Sequence, residues 1–152
     1  RRRALSVHGI LNRKGATVCT IEPTASLAYA AKSLTNHGIG ALVVTGAEGQ
    51  TVGIISERDI VGTLSEKGSA ALETPVAEIM TRKVAFCNRQ DKLVDLMQRM
   101  TDGKFRHLPV IEAGQLVGIV SIGDVVKSRL EELRQESDTL REYIHRHAHH
   151  MY

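Results

Sequence analysis

Apolar and polar positions follow one rhythm along this chain and then repeat it. Residues 17–21 form a short β-prone piece. Leu27, Ala30, Ala31 and Leu34 then recur at helical spacing, with Gly38 placed to stop the helix. Two nearly continuous apolar runs follow, 39–45 and 52–55, joined by a glycine-containing turn at 46–50. This spacing predicts a hairpin, and the unbroken apolar runs predict strands buried on both faces. A second helix opens at Ser56. The succession returns with a β-prone piece at 84–87, then Leu93, Leu96, Met97 and Met100 at helical spacing with Gly103 near the end. Strands at 107–111 and 116–120 flank a turn at 113–115, and a helix begins at Ser121.

The two passages align residue by residue. Val18, Leu27, Leu42 and Val44 match Val84, Leu93, Leu108 and Val110 at an offset of 66; after the turn the offset is 65. There Val52-Gly53-Ile54 matches Val117-Gly118-Ile119, and Ser56, Asp59 and Val61 match Ser121, Asp124 and Val126. Two copies are too few for a solenoid. The expected fold class is α/β (α+β): two β-α-β-β-α repeats in pseudo-twofold symmetry, facing each other across a shared core. Each copy has its own apolar lead-in, 7–11 before the first and 76–80 before the second, the latter with Pro75 at the first helical position. The expected domains are 1–74, 75–130 and a helical tail at 131–152. No Gly or Pro follows Gly123, so the last helix runs on. Its stripe of Leu130, Leu133, Leu140 and Ile144, interrupted by Ser137, suits either packing on its own domain or a homodimer contact; both are open.

Composition narrows the classes. The 152 residues are 42% hydrophobic and 24% charged, ordinary for a globular chain, so disorder is excluded. No apolar run is long enough to span a membrane, and none follows Arg1, Arg2 and Arg3 as a secretory signal would require. Two cysteines, Cys19 and Cys87, rule out a disulfide scaffold, and the expected address is cytoplasmic. Both sit in apolar strands and are expected as small core residues. The net charge of +3 is weak support for an anionic partner. With aromatics at 3%, the stacking surface of a single-strand nucleic-acid binder is nearly absent.

The chemistry concentrates at the two helix entrances, Ser56-Glu57-Arg58-Asp59 and Ser121-Ile122-Gly123-Asp124. Ser-x-x-Asp there is first a cap: the hydroxyl accepts a backbone N–H, and the acid sits at the positive end of the helix dipole. The same geometry also suits a ligand. Free amides at a helix start hold anions, and a carboxylate one turn in accepts hydrogen bonds from vicinal hydroxyls, as an acid does with ribose. A glycine just before the strand end, Gly53 or Gly118, leaves room for a flat ring beside the backbone.

These motifs, with Arg106-His107-Leu108-Pro109-Val110 and the lead-in Ile79-Met80-Thr81, resemble a tandem pair of cystathionine-β-synthase-type (CBS) domains, the Bateman module. The resemblance covers about residues 7–130. It implies a free-standing, non-catalytic regulator, an energy sensor that binds AMP, ADP, ATP, NAD(H) or S-adenosylmethionine between its repeats and commonly pairs into a disc. It implies that Asp59 and Asp124 bind ribose hydroxyls, and that Ser56 and Ser121 lie near ribose and phosphate. Arg58, with Arg106 and His107 from the other repeat, would meet phosphate. The backbone near Ile39, Ala41 and Leu42 and near Phe105 and Leu108 would line the adenine pockets, with Lys14, Thr17 and Thr20 as further contributors. Opposite Asp124, however, Arg106-His107 is replaced by Gly40-Ala41 and Arg58 by Gly123. The second site thus lacks its obvious phosphate ligands, and the Asp59 site is expected to bind phosphate more tightly.

The remaining features point elsewhere only faintly. His145, His147, His149 and His150 have no Cys or acid to complete a metal set, so no metal is expected. His37 reads as a helix-end residue, and Glu57 and Glu66 as solvated face. There is no phosphate loop ending in Lys-Ser/Thr, no His-Glu-x-x-His and no Gly-x-Ser-x-Gly, so no enzyme is predicted. The reading is an adenosine-nucleotide sensor acting on an unidentified protein target. The alternatives are a structural dimerisation module with empty clefts and a nucleic-acid binder favoured only by the basic pI.

Overall fold

The computed structural model describes residues 6–150, with side chains through His147; Arg1, Arg2 and Arg3 and the side chains of His149 and His150 lie outside the described residues. Helix α1 (Val7–Lys14) comes first, then β1 (Thr20–Ile21), α2 (Leu27–His37), β2 (Ala41–Thr45), β3 (Thr51–Ser56) and α3 (Glu57–Lys67). A 3-10 turn (Gly68–Glu73) and the short α4 (Val76–Ile79) lead to α5 (Leu93–Gly103), β4 (His107–Glu112), β5 (Gln115–Ser121) and the 29-residue α6 (Ile122–His150). The mixed α+β order matches the expected repeat.

Local chemistry sets most boundaries. Ser26 caps α2 by accepting the Tyr29 N–H, and Gly38 ends it in the left-handed conformation at φ 61°. In α5 the left-handed residue is Lys104, one past the expected Gly103. The first sheet runs β1-β2-β3, parallel then antiparallel. The second is the antiparallel pair β4-β5. The expected strand at 84–87 is reduced to one parallel bridge, Cys87 to Val110. Each hairpin slips register at the matching place, after Val44 and after Val110. Only β2 is buried nearly throughout, at 41–44; β4 is buried at 108–110 alone and open at both ends, and β3 and β5 bury alternate residues in their second halves, so the expectation of strands buried on both faces holds for β2 only.

The repeats do not share one core. One cluster gathers Ile21, Leu27, Leu34, Leu42, Val44 and Ile55 of the first repeat with Val76 and Met80. The other gathers Leu93, Leu96, Met100, Leu108, Val110 and Val120 of the second with Val7, Ile10 and Leu11. The lead-ins are therefore exchanged: each packs into the repeat it does not precede. Backbone bonds fasten both in the same way, Val7 N–H to the Asp91 carbonyl (3.0 Å) and Val76 N–H to the Ala25 carbonyl (2.8 Å).

The motif glycines serve this exchange, not a flat ring. A Cβ placed on Gly53 would lie 2.5 Å from Met80 Sδ and 2.9 Å from the Thr81 carbonyl oxygen; one on Gly118 would lie 2.7 Å from Leu11 Cδ2. Thr81 is also bonded in both directions to Ile54, so its backbone has little freedom to retreat. Gly53→Ala should therefore destabilise the fold by about 1–3 kcal/mol through overpacking. Gly62→Ala, inside α3 with nothing within 4 Å, should be neutral or stabilise by up to about 1 kcal/mol. Urea unfolding of the two variants checks the contrast; equal effects would contradict the packing role of Gly53.

Candidate functional site

Both helix entrances form as capped turns. Ser56 and Asp59 make a reciprocal box: Asp59 N–H donates to Ser56 Oγ (3.3 Å), and the Ser56 N–H and hydroxyl donate to Asp59 Oδ2 (2.9 and 3.0 Å). Ser121 and Asp124 repeat it, at 2.8 Å for Ser121 N–H to Asp124 Oδ2 and 3.1 Å for Asp124 N–H to Ser121 Oγ. The first amide of each helix is also used, Glu57 N–H by the Gly40 carbonyl (3.0 Å) and Ile122 N–H by the Arg106 carbonyl (2.8 Å). The cap bonds thus converge on Oδ2 in both acids.

The entrances face two adjacent clefts between the repeats. The first, of about 660 Å³, is lined by Ser56, Arg58 and Asp59 from one repeat and by Phe105, Arg106, His107 and Ser121 from the other. It brings together the residues expected to meet phosphate. Glu57, expected as solvated face, lines it too, with Gly40, Ile54, Thr81, Gly103, Lys104 and Ile122. A flag for Glu57 and Ile122 was present in the sequence: each is the first residue of a helix whose entrance carries the motif.

The second cleft, of about 480 Å³, contains Asp124 and Ser121 with Lys14, Thr17, Ile39 and Ala41. Gly40, His107 and Ser121 border both clefts. Cys19 and His37 also line the second one. Cys19, just before β1, is half-buried and packs against the first core while also reaching the cleft wall, whereas Cys87 is buried in the second core, where desolvation and the neighbouring Asp91 push its thiol up to about 12 despite Arg99. Leu42 and Leu108 line neither cleft with their side chains, which alternation along β2 and β4 turns into the two cores. Thr20 is exposed on β1 and lines neither cleft.

Charge differs between the clefts. Lys14 Nζ donates to Asp124 Oδ2 at 2.7 Å and to the Ile119 carbonyl at 3.0 Å. Burial would raise the Asp124 carboxyl, but the bonds from Lys14 and Ser121 hold it below its ordinary value. Burial pushes the His107 imidazole below its usual range, Lys14 and Arg106 push the same way, and Asp124 and Glu57 oppose them. Among the described residues no group of three or more His, Cys, Asp or Glu is placed to hold a metal. His147 instead lies against Tyr143, ring centroids 3.9 Å apart. No helix of the described residues is long and apolar enough to cross a membrane.

The depressed His107 gives a sign for acid stability. The unfolded chain takes up this proton at higher pH than the folded one, so the stability His107 contributes is complete above about pH 6.5 and is lost as pH falls through its lower folded value. Thermal melting between about pH 7.5 and pH 5 should show a decline that His107→Gln makes shallower. An unchanged slope would contradict it.

Known proteins share the sequence pattern and the fold of this chain. The family model for the CBS domain matches residues 16–66 and 76–131. The chain is 40% identical over 130 residues to the Arabidopsis thaliana "CBS domain-containing protein CBSX3, mitochondrial", an alignment covering 83% of this chain and 62% of that protein, so it spans less than two thirds of that relative's length. It matches the crystal structure of the CBS-domain containing protein ATU1752 from Agrobacterium tumefaciens with a TM-score of 0.80 and 47% identity, over 83% of this chain and 94% of that one. Two more distant matches hold ligands. The CBS domain pair of protein MJ0100, with 5-methylthioadenosine and S-adenosyl-L-methionine, aligns at TM-score 0.68 and 28% identity over 78% of this chain and 90% of that one. PAE2072 from Pyrobaculum aerophilum, with AMP, aligns at 0.64 and 25% over 70% and 82%.

Proposed function

The chain belongs to the CBS-domain family, and on that footing we propose that it is a non-catalytic regulatory module that binds adenosine nucleotides (AMP, ADP, ATP or NAD(H)) between its repeats. The observation that carries this reading is the first cleft, where an acid, Asp59, whose cap bonds fall on Oδ2, lines the wall with Ser56 of one repeat and Arg106 and His107 of the other. A ribose diol donates to the acid, and the phosphate meets the basic groups. The cleft volume is in the usual range for small-molecule sites. The ligands held by PAE2072 and MJ0100 support an adenosine scaffold.

A response needs a second state and a readout. In this reading the readout is α6, whose Leu130, Leu140 and Ile144 are 57–58% exposed. These residues do not pack on their own domain, which favours a second copy of the chain as their cover and a protein target downstream.

Saturating AMP should raise the melting temperature, since a ligand at one hundred times its Kd adds about 2.7 kcal/mol to a fold that alone binds it. Asp59→Asn should weaken AMP roughly tenfold or more in titration calorimetry. No thermal shift with AMP, ATP or NADH would favour the dimerisation module with empty clefts, and binding to DNA or RNA that falls steeply with salt would favour the nucleic-acid alternative. Light scattering should show a lower oligomeric state when residues 135–152 are removed; an unchanged state would exclude the tail as the contact.

A further inference from the structure

The two clefts differ in how their acids are balanced. Asp59 takes no ion pair among the described residues, whereas Asp124 is paired with Lys14 at 2.7 Å. Lys14 is the last residue of α1, which is anchored beneath it by Val7, Ile10 and Leu11 in the second core. Its neighbour Arg13 donates to the buried Ser128 at 2.6 Å and pairs with Glu131. The ammonium is thus aimed into the cleft by a helix fixed on both sides. Of the described residues lining that cleft, Lys14 is the single Lys or Arg and Asp124 the single Asp or Glu.

From this arrangement, and resting on the adenosine reading above, we infer that Lys14 is a charge-selecting residue that makes the Asp124 cleft specific for anionic adenosine ligands. A ribose that donates its hydroxyls to Asp124 takes over the carboxylate that Lys14 holds. The displaced ammonium then stands in a partly buried cleft without its counter-ion. A neutral nucleoside offers it nothing, and a cationic ligand adds a like charge. A phosphate supplies the missing anion and restores a charge-assisted hydrogen bond. Lys14 therefore replaces, from α1, the basic groups that Gly40-Ala41 and Gly123 do not provide.

The test is titration calorimetry of AMP and adenosine in the Asp59→Asn background, which weakens the first cleft. AMP should bind roughly tenfold or more tightly than adenosine. Lys14→Met and Lys14→Gln should each collapse that ratio toward one, weakening AMP while leaving adenosine equal or tighter because no ion pair has to break. Lys14→Arg, which keeps the charge, should preserve the preference. A ratio unchanged by Met and Gln overturns the role of Lys14 and leaves the nucleotide reading intact. If Asp59→Asn binds neither probe, or if AMP binding persists in Asp59→Asn/Asp124→Asn, the Asp-anchored placement of the ligand fails, and the inference fails with it.

Discussion

The exchange of the lead-in segments is the constraint on which the rest of the molecule depends. Neither repeat closes its own core: the first needs Val76 and Met80 from the segment ahead of the second, and the second needs Val7, Ile10 and Leu11 from the segment ahead of the first. Burying those side chains ties the repeats together as a condition of folding each of them. The clefts exist because the repeats are held face to face, so the geometry of Asp59 opposite Arg106 and His107 follows from apolar packing well away from it. Gly53 and Gly118 are the steric condition for that packing, and a side chain at either meets the visiting segment.

Much of this was legible because it is local. Gly38 after a helical stripe, Ser26 before one, and Ser-x-x-Asp after an apolar strand each specify a backbone geometry within a few residues, and each is found. The internal repeat carried the topology further, and the register slips found in the structure fall at matching positions in the two hairpins. The exchange was not legible, since apolar spacing in 7–11 says that a helix buries one face but not against which repeat. The motif glycines were misread for the same reason: a glycine reports a close approach without naming what approaches.

The clefts divide along the same line. Arg106 and His107 line the same cleft as Asp59 because the repeats face each other. Lys14 in the Asp124 cleft depends on where α1 ends after crossing to the second repeat, which no spacing in the sequence encodes. Cys19 and His37 reach the same cleft by lying at a strand start and a helix end. Leu42 and Leu108 lie next to cleft-lining neighbours, and strand alternation turns their side chains inward.

The last helix has a mechanical consequence. Its 29 residues extend roughly 40 Å at 1.5 Å per residue. Its root carries Asp124 in one cleft and, one turn further on, the Ser128 held by Arg13. A tilt of about five degrees at that root carries the far end on the order of 3–4 Å. In the proposed regulatory reading the rod is a lever arm with its fulcrum beside the cleft, turning a displacement too small to disturb the packing into one that a neighbouring molecule can register.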